Sequence, residues 1–195
     1  MRTAYLGMGA NLPSPAGPPE ATLAAAVVRL QSLGRLAARS TLYSTAPVGF
    51  SAQPNFLNAV VALETSLTPF DLLGAVLLIE KEFGRNRSFG LVNGPRTLDL
   101  DILLFGDLVI GGSNLVIPHE RLASRAFVLV PLHEIAPQAI DPRSRKTIAQ
   151  LLQSLVPSRG NQSDAVVQIQ SDLWSSGASN FDADPSAAEN PPPPR

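Results

Sequence analysis

The chain has 195 residues, with 15 Lys and Arg against 16 Asp and Glu, so its formal net charge of −1 provides no basic field for wholesale nucleic-acid binding. It contains no cysteine, which excludes disulfides and thiolate metal sites and suits a reducing compartment. The length suits one domain plus a tail, and no secretory signal or apolar run of membrane-spanning length stands out, so a cytoplasmic monomer without nucleic-acid or membrane partners is expected.

Ala4, Leu6 and Met8 alternate with polar or small neighbours and predict a first strand over residues 2–9. Gly7-Met8-Gly9 imitates a dinucleotide fingerprint, but Leu12 stands where the third glycine belongs, and no G-x-x-x-x-G-K-[ST] loop occurs. The Pro- and Gly-rich stretch 13–19 reads as a loop. It leads into a helix from about Glu20 to Leu33, with Leu23, Val27 and Leu30 at helical spacing and Gly34 at its end. Residues 35–45 read as a second strand and 46–54 as a loop. A third strand follows over 55–65, with Leu57, Ala59, Val61 and Leu63 on one face and Phe56, Asn58 and Val60 on the other.

Thr68-Pro69-Phe70-Asp71 supplies an N-cap threonine, a proline at the first helical position and a carboxylate three residues after the cap, which starts a helix running to Phe83. An Arg-, Gly- and Asn-containing loop covers 84–95. A strand over 97–105 comes next, in which Leu98, Leu100, Ile102 and Leu104 are expected on one face and Asp99 and Asp101 on the other. A short strand at 108–110, a helical region at 124–136 broken or kinked by Pro131, and a helix from Thr147 to before Pro157 complete the folded part. These elements define a domain over 1–157. Beyond Ser158, Ser, Asn, Asp, Ala and Pro dominate, so most of residues 158–195 is expected to be a low-complexity, disordered tail; the exception is Val166-Val167-Gln168-Ile169, which could add an edge strand with Trp174 packing beside it.

The order β-α-β-β-α-β with C-terminal additions predicts an α+β, ferredoxin-like fold: an antiparallel sheet with both helices on one face and ligands near the other. Same-face carboxylates on a strand have Cα atoms roughly 6.5–7 Å apart, so Asp99 and Asp101 are spaced to bridge two ions about 3.5–4 Å apart. Arg85, Arg87 and Arg96 precede them, while His119, Arg121 and Arg125 follow. Carboxylates ringed by guanidinium groups suit a magnesium–polyphosphate site.

Four ordered segments carry the remaining candidate chemistry: Gly7-x-Gly9-Ala10-Asn11, then Thr45-Ala46-Pro47-Val48-Gly49 leading to Gln53-Pro54-Asn55-Phe56-Leu57-Asn58, then Gly94-Pro95-Arg96-Thr97-Leu98-Asp99-Leu100-Asp101, and finally Pro118-His119 with Arg125-Ala126-Phe127. Together they resemble the 6-hydroxymethyl-7,8-dihydropterin pyrophosphokinases of folate synthesis over about residues 2–156. The resemblance implies transfer of the terminal pyrophosphoryl unit of ATP to the pterin hydroxymethyl group, with release of AMP. It implies two Mg²⁺ ions on Asp99 and Asp101, and ATP or phosphate contacts from Arg85, Arg87, Arg96, His119 and Arg125, with Arg85 and Arg96 also catalytic. It further implies a pterin slot formed by Phe56 and Phe127 as stacking aromatics, Asn58 as the amide, and Thr45, Ala46 and Val48 along the wall. Glu80 matches a conformational or pterin-side position. Leu77, Asn93, Asn114 and Glu120 depart from the common family residues, and Arg121 and His133 read as ordinary surface groups. A non-catalytic nucleotide- or pterin-binding module and a metal-dependent phosphohydrolase are the competing readings. The first has no need of both carboxylates, and the second would break down ATP without a pterin acceptor.

Overall fold

The computed structural model describes residues 1–85, 93–155 and 165–176. In chain order its elements are β1 (Arg2–Ala10), α1 (Pro19–Gln31), β2 (Arg35–Arg39), β3 (Leu42–Thr45), β4 (Phe56–Thr65), α2 (Pro69–Glu82), β5 (Asp99–Phe105), β6 (Ile110–Gly111), β7 (Val116–Ile117), α3 (Ala126–Ile135), α4 (Ile148–Ser154), β8 (Val166–Ile169) and α5 (Asp172–Ser176). One sheet runs β5-β1-β4-β3-β8, with β2 also paired to β4, and β6 and β7 form a separate ribbon. Its ladders are antiparallel. Among the described residues no helix is long and apolar enough to cross a membrane.

Alternation along the strands separates two apolar layers. Ala4, Leu6, Met8 and Ala10 of β1 and Leu57, Ala59, Val61 and Leu63 of β4 join Leu23, Ala26 and Leu30 of α1 and Leu72, Val76 and Ile79 of α2. Burying each such leucine is worth about 1.5–3 kcal/mol at most, which makes this layer the main source of stability. α2 begins where expected: the Thr68 hydroxyl accepts from the Asp71 N–H at 3.2 Å, a cap worth about 1 kcal/mol. Gly34 turns the chain from α1 into β2. A Cβ there would come within 2.3 Å of the Glu64 carbonyl oxygen, so only glycine fits.

Several expectations need correction. The opposite face of the sheet is not left open: Leu129 and Leu132 of α3 and Ile148 and Leu151 of α4 pack there on Val60, Leu103 and Leu104. Only the part of that face beyond these helices is free for ligands. Leu104 belongs to this second layer, because the β1–β5 register skips a residue between Tyr5–Leu104 and Leu6–Ile102. Such a bulge turns side chains to the other face. Pro131 does not break α3, which runs to Ile135. The proline's missing N–H leaves the Phe127 carbonyl without an i+4 donor.

The strand expected over 35–45 is divided at Ser40. Its hydroxyl accepts from Val60 N–H at 3.0 Å, taking the place of a backbone carbonyl. The predicted strand at 108–110 pairs as Ile110–Gly111 with Val116–Ile117. The expected disordered tail is also corrected in part. Residues 166–169 add a strand to β3, and Trp174 is buried in the α1–α2 core. A short β-branched run beside an indole buries enough surface to order itself, although its surroundings are low in complexity. The rest of 158–195 lies outside the described residues.

Candidate active site

On β5, Asp99 and Asp101 face away from Leu100 and Ile102, as their alternation predicts. In the register Asp99 lies opposite Gly9 and Asp101 opposite Gly7, while Gly9 also lies opposite Asn58 of β4. Two rows therefore cross the sheet with glycine in the middle of each. A Cβ on Gly9 would lie 3.4 Å from Asn58 Oδ1 and 3.8 Å from Asp99 Cβ, so the glycine leaves an open floor between the amide and the carboxylate. Over this floor lies an open cleft lined by side chains of both rows.

The cleft lining includes Thr45, Ala46, Val48, Phe56, Asn58, Arg96, Asp99, Asp101, Arg125 and Phe127, so ten of the candidate residues meet in one place. Phe56 and Phe127 are half-buried side walls, and Phe127 also packs against the second apolar layer. Each carries a guanidinium: Arg96 lies 5.5 Å from the Phe56 ring centroid and Arg125 lies 5.3 Å from that of Phe127. Asn58 is buried, and its amide nitrogen donates to the Thr45 hydroxyl at 2.8 Å. That bond fixes the amide's orientation at the base of the slot.

The two carboxylates have different surroundings. Asp99 accepts from Arg85 and, at 2.6 Å, from Arg96 Nη1. Burial alone would raise its pKa, but the two guanidinium charges outweigh it and hold the carboxyl below its usual range. For Asp101, burial and the adjacent Asp99 charge push the pKa up, offset only in part by His119, Arg125 and Arg85. Among the described residues none donates a hydrogen bond to Asp101, so its charge lacks a directly bonded cation. Among the described residues no group of three or more His, Cys, Asp and Glu forms a metal cluster. A pair of oxygen donors beside an open cleft suits a hard divalent ion that takes its other ligands from phosphate and water.

Arg85 sits behind the cleft. Its guanidinium bonds Glu80 and Asp99 and donates to the Leu98 carbonyl at 3.2 Å. Its pKa is lowered by burial but raised overall by these two carboxylates. His119 lies beside the cleft. Its backbone N–H donates to the Leu103 carbonyl at 2.9 Å, and burial depresses its pKa against the opposing pull of Asp101. Arg125 likewise has its pKa lowered, first by burial and then by Arg121. Arg121 is exposed and pairs with Glu120 at 3.5 Å, and His133 is partly exposed on α3, as expected of both. Arg87 lies outside the described residues.

Three features escaped the sequence reading. The first is the role of the glycines as a floor: Gly7-x-Gly9 was read as a candidate segment and an incomplete nucleotide fingerprint, with no task given to either glycine. The second is the anchoring role of Glu80, which is 1% exposed and accepts from the Leu100 N–H at 2.9 Å, joining α2 to the acidic strand. Its signal was available: Glu80 follows Val76 by four residues on the buried side of α2, where a carboxylate requires partners. The third is a chain of amides. Asn11 Nδ2 donates to Gln53 Oε1 at 2.9 Å, Gln53 Nε2 donates to the Asn93 carbonyl at 2.9 Å, and Asn11 Oδ1 accepts from the Arg96 N–H at 2.8 Å. These bonds tie the end of β1 to both loops that rim the cleft.

Comparison with known proteins gives the family. The family model described as 7,8-dihydro-6-hydroxymethylpterin-pyrophosphokinase matches residues 5–137. A 2-amino-4-hydroxy-6-hydroxymethyldihydropteridine pyrophosphokinase of Pseudomonas aeruginosa is 47% identical over 141 residues, covering 72% of this chain and 85% of that one. One of Methylorubrum extorquens is 42% identical over 160 residues, covering 81% and 96%. Among solved structures, a Plasmodium falciparum HPPK-DHPS triple mutant is similar with a TM-score of 0.63 at 17% identity, over 84% of this chain. The chain spans 45% of that longer protein, and at this identity the likeness concerns the fold alone. By its family-model match and its relatives, the chain belongs to the 7,8-dihydro-6-hydroxymethylpterin-pyrophosphokinase family.

Proposed function

We propose a residue-level account of the activity that goes with this family: pyrophosphoryl transfer from ATP to the hydroxymethyl group of 6-hydroxymethyl-7,8-dihydropterin, a step of folate biosynthesis. The hydroxymethyl oxygen attacks the β-phosphorus of ATP, the bond from that phosphorus to the α–β bridging oxygen breaks, and AMP leaves while the hydroxyl proton is lost. One observation carries the account. The aromatic slot floored by Gly9 opens directly onto Asp99 and Asp101, so a heterocycle seated there presents its side chain to the carboxylates.

The pterin stacks between Phe56 and Phe127, with Asn58 reading its polar edge and Thr45, Ala46 and Val48 closing the wall. Asp99 and Asp101 hold Mg²⁺, two ions by the reading of their spacing. The fit is supported by Asp101, to which no described residue donates a hydrogen bond, and by a carboxylate pair in an open cleft that leaves positions for phosphate and water. Bound there, magnesium neutralises the polyphosphate and lowers the pKa of the attacking hydroxyl. Arg85 acts from behind Asp99, and His119 is assigned to the nucleotide as a hydrogen-bonding group beside Asp101. Arg96 reaches the phosphate site from the Asp99 side and Arg125 from the Asp101 side, and they supply positive charge along the triphosphate. Arg87 is assigned to the same task on its sequence position.

The scaffold is read as ferredoxin-like. With β2 and β3 taken as one interrupted strand, the sheet order of the β-α-β-β-α-β unit is fourth, first, third, second. Residues 1–157 form the catalytic unit, and we read it as a cytoplasmic monomer because one chain supplies the whole cleft and ATP is its co-substrate. An assay for AMP tests the activity. AMP should form only when ATP, Mg²⁺ and 6-hydroxymethyl-7,8-dihydropterin are present together. ATP breakdown at the same rate without the pterin would overturn the reading.

A further inference from the structure

Residues 165–176 lie outside the stretch 5–137 that the family model matches, yet they are bound to the walls of the cleft. β8 runs antiparallel to β3, with Val166 opposite Thr45 and Ile169 opposite Leu42. Thr45 is the cleft residue that accepts from the Asn58 amide. β8 also packs against α3, the helix that brings Phe127 to the other wall. A separate tie joins those two elements: Glu134 of α3 accepts from the Thr41 N–H at 3.0 Å and from the Tyr43 hydroxyl at 2.9 Å.

Beyond β8 the chain latches. Trp174 is 5% exposed, and its indole N–H donates to the Ser40 carbonyl at 2.9 Å. Arg39 donates to the Trp174 carbonyl and lies 4.2 Å from the indole ring centroid. Arg39 and Ser40 stand at the break between β2 and β3, so the latch closes on the bend of the edge strand. Without β8, β3 would keep β4 as its ladder partner and expose its other edge.

We propose that residues 165–176 form a strap that positions the Thr45 wall against the Phe127 wall, and so sets the affinity of the slot for its flat heterocycle. The proposal rests on reading this slot as the pterin subsite. The strap and the phosphate cluster are separable. Asp99 and Asp101 lie on β5, at the far edge of the sheet from β8. Loosening the strap therefore weakens pterin binding and leaves ATP binding in place.

The test uses the full chain. Successive N–H groups along a strand point to opposite sides, so the double substitution Val167→Pro/Gln168→Pro removes one ladder donor to β3 whichever residue supplies it. Steady-state kinetics with 6-hydroxymethyl-7,8-dihydropterin and MgATP, and direct fluorescence titration with the pterin, are compared with the unaltered chain. KM and Kd for the pterin should rise about five-fold or more, while kcat and KM for ATP stay within about two-fold. A lower melting temperature with unchanged pterin KM and Kd would make the strap merely structural and overturn the proposal. If the double variant fails to fold, Trp174→Phe decides. It keeps a ring over Arg39 but removes the N–H to Ser40, and should raise pterin Kd about two-fold; no change would overturn the strap. Failure of the unaltered chain to bind the pterin would overturn the slot reading itself, a result distinct from either variant's.

Discussion

On the face of the sheet covered by α1 and α2, β5 contributes Leu100 and Ile102, which are 3% and 4% exposed inside a continuous apolar layer. On the other face the same strand contributes Asp99 and Asp101, and the neighbouring strand contributes Gly7 and Gly9. The first face is packed with apolar side chains, and Glu80 of α2 is the buried carboxylate at its margin that bonds the β5 backbone. The second combines two carboxylates, a buried amide and a bare floor, none of which adds to an apolar core. The backbone ladder is common to both, so alternation lets one strand support stability on one side and chemistry on the other. That division assigns stability and turnover to adjacent residues and can be broken one residue at a time.

The largest effect is expected for Asp101→Ala. It should lower kcat about a thousand-fold or more at saturating Mg²⁺, with the melting temperature held or raised, because it removes a charge that lacks a bonded partner and opens no core cavity. Full turnover in this variant, measured by AMP release, would remove the metal assignment. Next comes Leu100→Ala, the residue beside it. A cavity in the packed layer should cost about 2–5 kcal/mol in urea unfolding, while kcat per folded molecule changes little. A collapse of kcat without loss of stability would show that the two faces are not independent. The smallest effect is expected for Gly9→Ala. Its Cβ, 3.4 Å from Asn58 Oδ1, should raise KM for the pterin about ten-fold and leave KM for ATP near its original value. Equal changes in both constants would mean that the floor serves the whole cleft.

Much of the division could be read in the chain. The period-two pattern of 55–65 placed Phe56 and Asn58 on the side opposite Leu57 and Ala59, and the structure keeps them there. The Thr68 cap and the Leu-Asp alternation of β5 were equally plain, since both depend on residues close in sequence. Leu104 was misassigned because a bulge is a property of a strand pair: the skipped residue appears only when β5 is aligned with β1. The partners of Glu80 and the Asn11–Gln53–Asn93 chain were hidden for a related reason, as each bonds groups that lie far away along the chain.

The sequence by itself therefore determined most of the strands and helices up to residue 155, and the faces on which Phe56, Asn58, Asp99 and Asp101 stand, because periodicity and capping act over a few residues. Tertiary structure alone decided three things. It placed α3 and α4 over the second face, which narrows the ligand site to one end. It gave Asp99 two bonded arginines, while among the described residues none donates a hydrogen bond to Asp101, although the two residues look alike in the chain. It also ordered 165–176, within a stretch whose composition predicts a tail, because the open edge of β3 and the Ser40 carbonyl at the β2–β3 bend lay within its reach. Burial, charge pairing and edge completion depend on which surfaces meet in space, and local propensity carries no record of that meeting.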